Sequence, residues 1–148
     1  MKLSAKTRYA ARILLALAYA GHEAPVSTTT ISQQTGISQQ FVEQILRQLR
    51  LAGITNSTRG ARGGHVLARH PNDITFRCIV NLMEDGTRLA DCQAEGEKMC
   101  PDFATCQTRK VWRVAQIALE EALEEVTIGN FSNCHVDENG KVICDISL

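Results

Sequence analysis

Residues 31–68 read ISQQTGISQQFVEQILRQLRLAGITNSTRGARGGHVLA, and this stretch decides the fold. Thr35-Gly36-Ile37-Ser38 predicts a tight turn between two helices, because glycine tolerates the left-handed conformation and Ser38 can accept from the first amides of the next helix. From Gln39 to about Leu51, the residues Phe41, Val42, Ile45, Leu46 and Leu49 recur at helical spacing and predict a core-facing stripe. The other face carries Gln39, Gln40, Glu43, Gln44 and Arg47. After Gly53, residues Ile54 to Thr58 and His65 to Ala68 read as two strands around the glycine-rich turn Arg59-Gly60-Ala61-Arg62-Gly63-Gly64. Helix, turn, helix and basic hairpin in this order predict a winged helix-turn-helix.

Working outward toward the amino terminus, a helix begins near Ser27 and contains Ile31 to Gln34, and an earlier one runs from the N-cap Ser4 to about Tyr19, ending at Gly21. The helix from Ser4 imitates a secretory signal. Lys2, Lys6, Arg8 and Arg12 precede the apolar run 13–17, and Ala18-Tyr19-Ala20 resembles a cleavage site. A secreted module stapled by disulfides is therefore one rival reading for a chain with six cysteines. Against it, Leu3, Tyr9, Ala10, Ile13, Leu14 and Leu17 continue the helical spacing through the basic part, as in a core helix. No stretch approaches a transmembrane span, so no membrane partner is expected and the chain reads as cytoplasmic.

Toward the carboxyl terminus, Arg69 to Asp73 reads as a connector and Ile74 to Met83 as a short helix. Residues 84–108 lack periodicity and read as a loop holding three of the six cysteines. From Arg109 to Ile128 a helix of about twenty residues is expected, with Val111, Val114, Ala115, Ala118, Leu119, Ala122 and Val126 on one stripe, and Gly129 as its stop. A hairpin around Asn139-Gly140 is expected in the tail. The implied organisation is residues 1–70 as the winged helix-turn-helix domain, 71–131 as the cysteine loop and long helix, and 132–148 as the tail.

Formal net charge is zero, but it is segregated. Residues 1–72 carry nine Lys and Arg against two acids, a net +7, and residues 73–148 carry seven against fourteen, a net −7. A basic amino-terminal module suits a polyanion, since each neutralised phosphate releases counterions. With Ser38, Gln39, Gln40, Glu43, Gln44 and Arg47 at the start and outer face of a recognition helix, the expected ligand is double-stranded DNA, read in the major groove. Arg59 and Arg62 sit on a narrow tip suited to the minor groove or backbone.

The spacing Cys92-x7-Cys100-x5-Cys106 matches neither paired zinc knuckles nor a C-x-x-C redox motif. Three thiolates on one loop can still converge on a soft metal centre, with zinc, copper(I) and iron–sulfur all admitted by the spacing. Cys78 sits in an apolar helix and reads as core, whereas Cys134 and Cys144 belong to the tail. A thiol- or metal-dependent redox enzyme is the second rival. It lacks a resolving C-x-x-C, and His22, His65, His70 and His135 all lie outside the cysteine loop.

The opening Met1 to Ala10, Gly36-Ile37-Ser38 with Glu43-Gln44 and Leu49-Arg50, the wing Arg59-Gly60-x-x-Gly63-Gly64, the three-cysteine loop and Thr127-Ile128-Gly129 together resemble the IscR type of iron–sulfur regulators, the Rrf-two superfamily. The resemblance covers residues 1–131. It implies a mainly helical, non-enzymatic transcription regulator that dimerises through the long helix. It also implies a 2Fe–2S or 4Fe–4S cluster on Cys92, Cys100 and Cys106, and control of genes for cluster assembly, iron uptake or nitrosative stress. A two-fold homodimer would read a palindromic operator. Three features depart from the family's patterns. The first gap of seven residues is similar to RirA-type members, where IscR has five; and Arg109 stands where IscR places a histidine ligand. Arg8, in turn, stands where NO-sensing NsrR relatives supply an acid. The resemblance therefore leaves the fourth ligand unassigned.

Overall fold

The computed structural model describes residues 3–21, 24–60, 62–84, 86–89, 102 and 105–132, and the backbone alone of 135–136 and 142–143. Helix α1 (Ala5–Ala20) is capped by Ser4, whose hydroxyl accepts from the Thr7 amide at 3.5 Å. Its residues Ala10, Ile13, Leu14 and Leu17 are at most 1% exposed, so the run that imitates a secretory signal is the centre of the core. Leu3, expected on the same stripe, is 37% exposed because it precedes the helix and overhangs its edge.

Helix α2 (Thr28–Thr35) starts at Ser27, which accepts from Thr30 at 3.1 Å, and ends at Gly36 in the left-handed conformation, φ 66°. Helix α3 (Gln39–Leu51) then packs Val42, Ile45, Leu46 and Leu49 onto Ile31 and the α1 stripe. Phe41 departs from the expected stripe. It lies on the flank, partly exposed, with its ring edge-on to Tyr9 at 6.0 Å. The guanidinium of Arg12 donates to the Thr35 carbonyl and fastens the turn to α1.

Strands β1 (Thr55–Thr58) and β2 (Gly64–Leu67) pair antiparallel, with Thr55 opposite Leu67 and Thr58 opposite Gly64. Val26 adds a third rung by exchanging two backbone hydrogen bonds with His65, at 3.0 and 2.9 Å. A Cβ on Gly64 would lie 2.6 Å from the Val26 backbone, and one on Gly63 would overlap the Thr58 carbonyl. The Gly63-Gly64 pair is thus required by close backbone approach. Arg69 donates to the carbonyls of Gly53 and Ala52, at 3.1 and 3.2 Å, which ties the strand exit to the end of α3.

A 3-10 turn (Pro71–Asp73) leads into α4 (Phe76–Glu84), which begins two residues later than expected because Ile74 and Thr75 are drawn into backbone pairing. Helix α5 (Arg109–Glu125) is also shorter than expected. Val126 is extended, its carbonyl accepts from Phe76 N at 2.8 Å, and Thr127 bridges Thr75. The chain then turns into α6 (Ile128–Ser132), where Asn130 Oδ1 accepts from the amide and hydroxyl of Thr127. Gly129 lies inside α6 rather than stopping α5, and its missing Cβ makes room for the Asn72 side chain. Ile128, fully buried, plugs this return into the core. Strands β3 (His135–Val136) and β4 (Val142–Ile143) pair antiparallel; Asn139 and Gly140 lie outside the described residues.

Among the described residues α5 buries no side chain completely. Of its expected stripe, Leu119 is half-buried, whereas Val111 and Val114 are 60% and 67% exposed and Ala115, Ala118 and Ala122 are open as well. The other flank is held to α4 by the Arg77–Glu120 ion pair at 3.0 Å.

Candidate nucleic-acid interface and cysteine loop

The sequence Ser38 to Arg47 folds as a helix with one wet face because its apolar residues fall three and four apart. Ser38, Gln39, Gln40, Glu43, Gln44 and Arg47 are all exposed on α3 or at its start, and Arg59 and Arg62 are exposed on the wing beside it. Ser38 occupies the N-cap position without capping: its hydroxyl accepts no amide of α3, contrary to expectation. The neighbouring Ser32 hydroxyl instead donates to the Ile37 carbonyl at 2.6 Å and stiffens the turn. Along the outer face, the Gln39 amide donates to Glu43 Oε1 at 3.3 Å, one helical turn apart.

Two residues that the sequence reading passed over join this surface. The guanidinium of Arg50 donates to the Ser57 hydroxyl at 3.3 Å, linking α3 to β1. His65 lies opposite Ser57 in the hairpin, its Nδ1 buried without a hydrogen-bond partner. Burial lowers its pKa below the ordinary histidine value, Arg50 pushes it the same way, and Glu43 opposes both. The signal for Arg50 was its position three residues after Arg47, on the same side of the helix.

Of the three loop cysteines, Cys106 is described, while Cys92 and Cys100 lie outside the described residues. Cys106 closes a turn in which its amide and that of Thr105 donate to the Asp102 carbonyl, at 2.9 and 3.1 Å. Its sulfur lies 3.3 Å from the Thr108 hydroxyl at the amino end of α5. That hydroxyl, followed by the amides of Arg109 and Thr108, lowers the thiol pKa, as expected where helix-end donors favour the thiolate. This is the chemistry a thiolate metal ligand requires. Among the described residues no group of three or more His, Cys, Asp or Glu side chains gathers to hold a metal ion. Cys78 packs, half-buried, against the core, as expected.

The loop is anchored at its start as well. Glu84 Oε1 accepts from the Ser4 amide at 2.7 Å and from the Thr7 hydroxyl, so the end of α4 caps the beginning of α1. Thr87, 3% exposed, donates to Glu120 Oε1 at 2.6 Å.

A recognition helix with an open polar face, flanked by a basic hairpin, defines a winged-helix DNA-binding regulator. The profile of the Rrf2 family, described as an iron-dependent transcriptional regulator, matches residues 3–133, and the chain belongs to that family. It is 38% identical over 130 residues to protein rrf2 of Nitratidesulfovibrio vulgaris, covering 88% of this chain and 86% of that protein. It is 30% identical over 133 residues to the transcriptional regulator IscR of Pectobacterium atrosepticum, covering 90% and 80%. The fold superposes on CymR, the global cysteine regulator of B. subtilis, with a TM-score of 0.73 at 31% identity over 89% of this chain and 96% of that one. IscR of T. potens gives 0.68, also at 31%, over 87% and 84%. The chain is therefore a transcription regulator rather than an enzyme. Among the described residues no helix is long and apolar enough to cross a membrane.

Proposed function

We propose that this chain is a homodimeric regulator that reads a palindromic operator and reports iron, cluster or redox status through an iron–sulfur cluster held by Cys92, Cys100 and Cys106. Ser38, Gln39, Gln40, Glu43, Gln44 and Arg47 face the major groove, and Arg59 and Arg62 follow the backbone or enter the minor groove. The observation that carries the reading is the position of Cys106. It sits at the head of α5, the helix whose Val111 and Val114 stripe is open, and a helix of this kind is stable only when another surface covers that stripe. A ligand held by the three cysteines then acts on the same helix that joins the two copies. The cluster supplies a centre that exists only when iron and sulfide are available, and the protein contributes soft thiolates to hold it. The similarity to regulators named IscR supports an iron–sulfur signal.

The test is operator selection from random DNA by anaerobically purified protein, followed by affinity measurement with and without iron chelation, and sedimentation in both states. A two-fold symmetric site, a dimer, and an affinity that changes on chelation are expected. A monomer that selects no symmetric site contradicts the reading.

A further inference from the structure

The corner between α3 and the wing holds a notch of about 150 Å³ lined by Glu43, Leu46, Arg47, Arg50 and His65. Arg47 and Arg50 lie one turn apart on the same side of α3, and neither is ion-paired among the described residues. Arg50 is braced by the Ser57 hydroxyl at 3.3 Å, leaving the rest of its five-donor fork to face outward. His65 lines the notch from β2, with its Nδ1 buried and without a hydrogen-bond partner. Glu43, the single acid on the rim, has its carboxylate engaged by Gln39. The site is therefore cationic and partly desolvated, and its volume admits a tetrahedral oxyanion with its water, at about 30 Å³ per water molecule.

We propose that this notch seats one phosphate of the DNA backbone, gripped by Arg50 and Arg47 and backed by His65. The inference rests on the DNA reading above and adds to it a locking point on the backbone. The occupant follows from the geometry of the duplex. With α3 in the major groove and the wing against the neighbouring minor groove, the sugar–phosphate strand dividing the two grooves must cross the corner between them. The notch thus sets the angle between helix and wing on the duplex, and contributes position rather than base preference.

The experiment is fluorescence anisotropy on the selected operator across a salt series, with wild type, Arg50→Ala, Arg50→Lys and Arg59→Ala, and with operators carrying one neutral methylphosphonate at each backbone position in turn. Arg50→Ala should weaken binding about tenfold at every sequence tested and reduce the log–log salt slope by about one. Arg50→Lys should keep the slope. One methylphosphonate position should weaken wild type and leave Arg50→Ala no weaker than before. Affinity and slope unchanged in Arg50→Ala while Arg59→Ala still weakens binding would overturn the notch and leave the DNA reading standing. Wild-type protein that binds no duplex would overturn both. Saturable binding of inorganic phosphate that operator DNA fails to displace would assign the notch to a free anion and overturn the proposal.

Discussion

Arg59 and Glu43 occupy one surface and carry opposite charge, so their removal should be read in different quantities. Arg59→Ala deletes a cation at the wing tip; DNA affinity should fall, by an order of magnitude at low salt, and the salt slope should flatten by about 0.9. Unchanged affinity in a salt series would remove Arg59 from the interface. Glu43→Ala deletes a group that repels phosphate and can only discriminate at base edges, so total affinity should hold or rise while base preference broadens. Operator selection that returns the parental motif would contradict this. At this scale the polar face of α3 was legible, because helical spacing sorts Val42, Ile45, Leu46 and Leu49 from Gln39, Gln40, Glu43 and Gln44. Phe41 was misplaced because periodicity gives an angle around the helix and not what lies there; Tyr9 meets it at the rim of the core. Arg50 and His65 were missed since their importance comes from a corner between two elements distant in sequence.

Among the elements, the wing depends on a backbone contact that no side-chain pattern announces. Gly64→Ala places a methyl against the Val26 backbone, which exchanges two hydrogen bonds with His65. Overpacking of this kind costs about 1–3 kcal/mol, and here it also moves the hairpin off its support. Denaturant unfolding should show the loss, and DNA binding should fall further than the lost stability explains; a variant as stable and as tightly bound as wild type would show that the contact yields. The paired glycines were legible as a turn but not as a close approach. The end of α5 shows the same limit: Gly129 read as a stop, whereas Thr127 is pulled out of the helix by Thr75 and Gly129 is needed for Asn72. Helix-stop chemistry is local, and the break arises from tertiary pairing of Val126 with Phe76.

Across the whole molecule, Glu84 joins the end of α4 to the beginning of α1. The Thr7 hydroxyl, and then the Ser4 amide and hydroxyl, hold its pKa below the usual carboxylate value against the opposing effect of burial, with Lys6 adding a smaller pull. A depressed folded-state value contributes stability that is complete above the unfolded value of about 4.3 and is lost as pH falls through the folded one. Wild type should therefore lose thermal stability as pH falls below that range, and Glu84→Gln, already lacking the charge, should lose less over the same interval; parallel pH profiles in calorimetry would contradict the link. The amphipathic period of α5 was legible, yet Val111 and Val114 are exposed, because periodicity marks an apolar face without naming what covers it. The cysteine spacing was legible too, and it named thiolate chemistry without choosing the metal.

Anaerobic purification with an absorption spectrum and iron and sulfide counts, on wild type and the three Cys→Ala variants, tests whether Cys92, Cys100 and Cys106 hold an iron–sulfur cluster as proposed. Wild-type protein should be coloured, with iron and sulfide in matched amounts, each lost in every single variant, while deletion of residues 132–148 should leave the spectrum largely intact. A colourless wild type without sulfide, or a cluster that survives loss of Cys106 and bleaches with the tail, would contradict it.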